Sequence, residues 1–414
     1  MTLLATTEHG LVSTTLSAFI AMLAFASVIG VLSKFVKIPY TIALVIAGLA
    51  VALLGAAPEG VVITNELILV LLLPPLLFQA GLHLDLELLQ KKAIPVLILA
   101  IPGVLLSTAI VAFTIKPILG CSLLVAFLFG AMLAPTDPIS VIATLKTANA
   151  PSRLKTIIEG ESLFNDGTGV VLFLILFSAV FHTVDGESSL TFASGLMEFV
   201  RVAGLGVVFG LGFGLIAFWL LRRLNDNVLE NGITIVLAWG SFIVAEQYHA
   251  SGVIAVVVAG LIIGNYGTRL AMSDKTINTI NTFWESIDFV VNSIVFLLIG
   301  FELQAIGGTG ALLQPKVVLA SFAAFFAIII ARALLVYPIA LMFGQNWASG
   351  WKHVIVWSGL KGSIPLALVL GFPDGPIKSM LVPVAFGVVL LSLLGQGLTI
   401  APLIRITGVA SASK

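Results

Sequence analysis

The chain is short of charge: only 10% of its 414 residues are Asp, Glu, Lys or Arg. An average soluble domain carries about 25%. With 59% hydrophobic residues, this chain has too little polar surface to stay dissolved in water. Cysteine is nearly absent. The single Cys121 excludes an internal disulfide and any cysteine-based metal cluster. The formal net charge is zero, which leaves no basic footprint for nucleic acid. No Gly-x-x-x-x-Gly-Lys-Ser/Thr loop is present, which argues against direct drive by ATP. The opening through Glu8 and His9 lacks a basic n-region, so the run from Leu11 reads as a mature span rather than a signal peptide. With only a short stretch after Arg405, no soluble regulatory domain is expected. The expectation is a single all-α integral-membrane domain covering residues 1–414.

What is present is apolar length. Hydrophobic runs between charged or Gly/Pro breaks predict thirteen transmembrane helices, at roughly 12–33, 39–56, 65–82, 94–115, 121–145, 157–181, 198–221, 230–248, 251–266, 285–304, 316–343, 351–371 and 378–404. The eighth and ninth are short. Basic residues test the count. Lys116, Arg201, Lys316 and Lys378 follow even-numbered spans, while Arg332 and Lys361 lie inside spans. Every other Lys and Arg follows an odd-numbered span: Lys34, Lys37, Lys91, Lys92, Lys146, Arg153, Lys155, Arg222, Arg223, Arg269, Lys275, Lys352, Arg405 and Lys414. A miscount would scramble such a bias from the error onward. The amino terminus is therefore expected outside and the carboxyl terminus in the cytoplasm.

Two carboxylates stand out within this apolar chain. Asp137 lies in Ala134-Pro135-Thr136-Asp137-Pro138, and Asp166 in Glu161-Ser162-Leu163-Phe164-Asn165-Asp166-Gly167. A carboxylate at membrane depth costs at least roughly 2.5–3.5 kcal/mol, so it marks an ion or proton pathway by default. Prolines on both sides of Asp137 remove helix hydrogen bonds and free backbone carbonyls beside it. Such oxygens suit a dehydrated alkali cation. By these residues the chain looks like an ion transporter.

The fifth span is broken by Pro135 and Pro138, and the twelfth by Gly359-Leu360-Lys361-Gly362-Ser363-Ile364-Pro365. Seven spans separate them. Because seven is odd, two such units have opposite topology, and paired breaks point to a transporter site near the bilayer midplane. In the sixth span Ser162 and Asp166 are four apart and share a face, as do Glu161 and Asn165 on the next stripe. Gly167 and Gly169 permit close approach of another helix. Arg332, deep in the eleventh span, needs a partner, and Glu161 is the most plausible one. His83, His182, His249 and His353 fall near span ends and read as interfacial.

Thr136-Asp137-Pro138, Glu161-Ser162 with Asn165-Asp166, Arg332, and Gly359-Leu360-Lys361-Gly362 together closely resemble the NhaP/NHE-type sodium/proton exchangers of the monovalent cation:proton antiporter superfamily. The likeness runs from about the third span to the twelfth. It implies thirteen spans, inverted six-helix repeats with discontinuous crossing helices (spans 5 and 12), and a homodimer. It also implies a core part, approximately 65–181 and 285–404, moving against a dimerisation part made of the remaining spans. Carried over, Asp137 and Asp166 are the cation and proton carboxylates, with Ser162 and the Thr136 carbonyl as further sodium ligands. Asn165 stabilises the crossing, and Glu161 with Arg332 forms a structural ion pair. The Asn-Asp pair implies electroneutral one-for-one exchange. There are two departures. Gln79, in Leu77-Phe78-Gln79-Ala80-Gly81, stands where relatives usually carry Glu, and Lys361 where they typically carry Arg. Lys is a compact point charge and not Arg's equivalent.

The function expected is therefore secondary antiport of a monovalent cation, Na+ or Li+, against H+, with no catalytic residue, cofactor or ATP. Two carboxylates close together in a partly dry site do not easily carry two negative charges at once, so cation and proton compete for them. If only the loaded core crosses the membrane, the two fluxes are coupled. A K+/H+ antiporter is the nearest alternative. A cation channel is disfavoured by the paired broken helices. An intramembrane aspartyl protease usually shows Gly-x-Gly-Asp, whereas Asp166 precedes its glycines. A bacterial inner membrane is the expected location.

Overall fold

The computed structural model describes residues 2–36, 40–54, 67–87, 93–181, 192–305, 308–342 and 350–409. Lys37, Lys91, Lys92, His182 and Lys414 lie outside the described residues. Among those described, the chain is helical with no strand. In order come α1 Thr2–Val36 and α2 Tyr40–Leu54, then a π-helical turn Leu67–Leu72 leading into α3 Leu73–His83. Next are α4 Ala93–Ala100, α5 Pro102–Leu119, α6 Leu123–Met132, α7 Ile139–Thr147 and α8 Ser152–Phe181. The second half holds α9 Phe192–Leu221, α10 Asn227–Gln247, α11 Gly252–Ile262, α12 Asp274–Ala305 and α13 Pro315–Met342. It closes with α14 Trp351–Trp357, α15 Ser363–Leu370, α16 Pro376–Leu391 and α17 Leu398–Ile406.

Each stretch expected to span contains helix among its described residues. Among the described residues, eight helices are long and apolar enough to cross a membrane, and Tyr40–Val51, Val70–His83 and Leu123–Met132 are shorter apolar helices. The two short spans of the sequence reading are full length in the fold, as Asn227–Gln247 and Gly252–Leu270. The ninth reaches that length because α11 runs on through a π-helical turn, Ile263–Gly267. Asn265 in that turn accepts from Leu86 N at 2.8 Å and donates to Leu84 O at 2.9 Å, pinning the chain that leaves α3. The fifth and twelfth spans are broken where the prolines and glycines lie. Residues 133–138 separate α6 from α7, and 358–362 separate α14 from α15.

The packing is reciprocal. α3 lies along α11, and α2 lies along α12. Moving one partner seven spans forward and the other seven back exchanges those two pairs, as a repeat of opposite topology requires. α5 packs against α13, its counterpart in the other half. The α3–α11 contact is close because glycines face it. A Cβ on Gly81 would sit 2.8 Å from Val257 O, and one on Gly260 would sit 2.8 Å from Phe78 O. Backbones approach where side chains are missing, which is how membrane helices gain packing without a hydrophobic drive. Phe78 then packs on Trp284 of α12, with ring centroids 4.7 Å apart.

Candidate functional site

The two breaks meet at the centre of the fold. Residues 134–138 cannot continue a helix, because Pro135 and Pro138 have no N–H to donate. Their freed carbonyls need other partners. Lys361 supplies them: its Nζ donates to Ala134 O and to Pro135 O, each at 3.0 Å. In return, Asp137 N donates to Leu360 O at 2.8 Å. Each break therefore completes the other's backbone. Lys361 is anchored in turn, since its N–H donates to Ser392 Oγ at 2.9 Å and Ser392 Oγ donates to Gln396 Oε1 at 2.7 Å. Both partners lie in a third π-helical turn, Ser392–Gly397, between α16 and α17. Such turns widen a helix locally and redirect side chains, often at functional sites. Gly362 is tight against this crossing, and a Cβ there would collide with the Asp137 side chain.

α8 presents its two polar stripes to the same point. Arg332 grips Glu161 with both arms, NH1 to Oε1 at 2.6 Å and NH2 to Oε2 at 2.9 Å. It also donates to Ile355 O at 2.8 Å and Val356 O at 3.3 Å in the last turn of α14. The fork geometry of guanidinium makes such bidentate pairing possible. Asn165 extends the network. Its Nδ2 donates to Glu161 Oε1 at 2.9 Å and Thr136 Oγ1 at 2.8 Å, while its Oδ1 accepts from Thr136 N at 3.2 Å. Ser162 Oγ donates to the Thr136 carbonyl. Thr136 is thus held on three sides by α8. Gly169 lets α8 come this near, since a Cβ there would be 2.8 Å from the Pro135 ring. Gly167 is less tight, at 3.3 Å from Ile254 Cγ1.

Beside this network lies a cavity of about 80 Å³. Its wall includes Gln79, Thr136, Asp137, Asp166 and Gly362. Asp137 is half-buried, Asp166 is only 7% exposed, and Asp166 Oδ1 is buried with no hydrogen-bond partner among the described residues. The structure thus brings all nine sequence-nominated residues to one crossing, but in two groups. Asp137, Asp166, Thr136 and Gln79 line the cavity. Asn165, Glu161, Arg332 and Lys361 surround a smaller void of about 10 Å³, and Ser162 joins the groups through the Thr136 carbonyl. The histidines stay at helix ends: His83 closes α3, His249 follows α10, and His353 lies in the first turn of α14.

Sequence reasoning missed Asp288, Asn292 and Ser363, which also line the cavity. Asn292 Nδ2 donates to Asp288 Oδ1 at 3.0 Å, and Ser363 Oγ donates to Asn292 Oδ1 at 3.2 Å. The signal was there. Asp288 and Asn292 stand four apart in an apolar helix, the same spacing that singled out Ser162 and Asp166.

Residues 20–406 match the model of the transmembrane sodium/hydrogen exchanger family, a span that includes the whole crossing. The chain belongs to that family. Among family relatives, the Na+/H+ antiporter NhaG of Bacillus atrophaeus is 41% identical over 405 residues, covering 95% of this chain and 75% of that protein. The Na+/H+ antiporter NhaP of Pseudomonas aeruginosa is 36% identical, covering 94% of this chain and 95% of its own length. The fold is similar to that of the sodium proton antiporter MjNhaP1 from Methanocaldococcus jannaschii, with a TM-score of 0.77 at 18% identity. That likeness covers 96% of this chain and 100% of the archaeal one. This family member is an all-helical, multi-pass integral membrane protein and not an enzyme.

Proposed function

We propose that this chain exchanges sodium for protons by alternating access, with Asp166 as the central carrier and Asp137 beside it. One observation carries the reading. Two carboxylates from different elements share a cavity at the crossing of two broken helices, and one of their buried oxygens has no partner among the described residues. A buried polar atom without a partner is costly, and a dehydrated cation or a proton satisfies it. The relatives named as Na+/H+ antiporters support the choice of ions.

In this reading Asp137, Asp166, Ser162 and the Thr136 carbonyl hold the ion. For the hydroxyl of Ser162 and that carbonyl to turn to a cation, their mutual hydrogen bond opens, so loading and unloading switch between two satisfied states. Asn165 keeps Thr136 in place during the switch. Sodium and protons are substrates, and no cofactor takes part. Exchange is electroneutral, one sodium for one proton. The chain makes thirteen crossings, with the amino terminus outside and the carboxyl terminus in the cytoplasm. Residues 65–181 and 285–404 form a core that moves against the remaining spans, and two copies pair through those remaining spans in a bacterial inner membrane. The reciprocal packing of the halves supports the inverted repeat that such movement uses.

The test is proton release from acid-loaded proteoliposomes on adding sodium, lithium or potassium. Sodium- or lithium-driven alkalinisation that disappears in Asp166→Asn is the expected result. A response to potassium alone would replace the substrate and keep the mechanism. Flux that continues without counter-transport of protons would indicate a channel and overturn the reading.

A further inference from the structure

α12 carries a long polar stripe along one face. Asp274, Asn278, Asn281, Glu285, Asp288 and Asn292 recur at alternating spacings of four and three, which keeps them on one side. The flank roughly a quarter-turn away, with Ile280, Trp284 and Val291, is buried in the core. Exposure falls along the stripe. Asp274, Asn278 and Glu285 are exposed, Asn281 and Asp288 are half-buried, and Asn292 is 4% exposed. At about 1.5 Å rise per residue, the stripe descends from the helix start to the cavity over roughly 27 Å.

We propose that this face is a cation entry path and that Asp288 is a third carboxylate ligand, passing the ion between the stripe and the Asp137–Asp166 pair. The inference rests on the exchange reading and extends it to a residue outside the family motif.

Three observations converge. First, Asp288 shares the 80 Å³ cavity with Asp137 and Asp166, and it stands on the helix that leads out of it. Second, no Lys, Arg or His occurs between Lys275 and Lys316, and neither Glu285 nor Asp288 has an ion-pair partner among the described residues. Beyond Lys275 in its first turn, the helix therefore carries no cation that would cancel the negative field of the stripe. A one-signed, low-dielectric cleft focuses that field and raises the local concentration of counter-ions. Third, the cavity wall includes Asp166, whose buried Oδ1 has no partner among the described residues, a demand for positive charge in the space that Asp288 shares. Asp288 is also tied to the crossing. Its carboxylate is oriented by Asn292, which is held by Ser363 at the first residue of α15. Movement of the second break would thus move the orientation of Asp288 with it.

A purely structural alternative makes a different demand. If Asp288 only fixes α12 to α15, its loss lowers maximal flux or folding yield without changing sodium affinity. The experiment uses the full chain in proteoliposomes and measures sodium-driven proton flux for wild type, Asp288→Asn, Asp288→Glu and Glu285→Gln. Asp288→Asn should raise the KM for sodium about tenfold or more, with maximal flux at saturating sodium within about twofold of wild type. Asp288→Glu should restore most of the affinity. Glu285→Gln should raise KM about two- to threefold at low salt, and the change should fade as ionic strength screens the stripe. An unchanged KM in Asp288→Asn overturns the proposal. If that variant fails to fold, Glu285→Gln on the exposed face decides, and an unchanged KM at low salt overturns it equally. Absence of any cation-driven flux in wild type would instead defeat the exchange reading itself.

Discussion

Glu161 and Asp166 are two buried carboxylates on the same helix, five residues apart, and their surroundings could hardly differ more. Glu161 is 2% exposed and accepts from both arms of Arg332 and from Asn165. Asp166 is 7% exposed, and its Oδ1 has no partner among the described residues. The space beside the first is about 10 Å³, near the minimum for one water, and beside the second about 80 Å³. The comparison shows that burial of an acid does not by itself make a transport site. A carboxylate whose bonding capacity is filled by a guanidinium is a structural strut. One left with a free oxygen facing a cavity has capacity for a cargo.

The sharpest way to break this contrast is to neutralise each acid in turn. Asp166→Asn should abolish sodium-driven proton flux while the protein stays folded, as read by size-exclusion profile and melting temperature. Glu161→Ala should do the reverse at the level of folding. It leaves Arg332 buried without its counter-charge, at a cost of about 3–5 kcal/mol, visible as lost yield or a much lower melting temperature. Flux retained in the first variant, or a normal melting curve in the second, would erase the distinction.

Lys361→Met tests the strut side less severely. It keeps the volume but removes the donor to Ala134 O and Pro135 O. About 1–3 kcal/mol should be lost for each carbonyl left unsatisfied, with melting temperature as the readout. Gly169→Ala should cost about 1–3 kcal/mol, because the new methyl overpacks against the Pro135 ring. Thermal unfolding in detergent would check it, and an unchanged midpoint would mean that α8 has slack against the first break. The smallest effect belongs to Gln79→Glu on the cavity side. It adds a negative charge to the wall and should alter sodium-to-potassium preference by a few fold, without touching stability. Parallel flux assays with each cation would read it.

Much of this arrangement was legible beforehand. The helical class and the positions of both breaks follow from local chemistry: apolar runs of membrane length, and prolines that lack an N–H. The Ser162–Asp166 and Glu161–Asn165 stripes follow from helical spacing alone. The Glu161–Arg332 pair was nominated because a lone intramembrane Arg needs an acid, and 171 residues of intervening chain did not hide it. Asp288 escaped notice for a plain reason. It lies near the beginning of its apolar run, where a carboxylate reads as the polar end of a helix rather than as part of a site.

By itself, then, the sequence determined which segments are helical, where two of them break, and which acids are too costly to be idle. Those are properties of short windows, governed by solvation and backbone bonding. Only the tertiary structure decided that Lys361 closes the first break from 227 residues away, and that Asp288 enters the cavity. It also decided which of α8's two buried acids has an oxygen without a partner among the described residues. Partnership between distant groups depends on how helices stack and cross, and no local pattern specifies that.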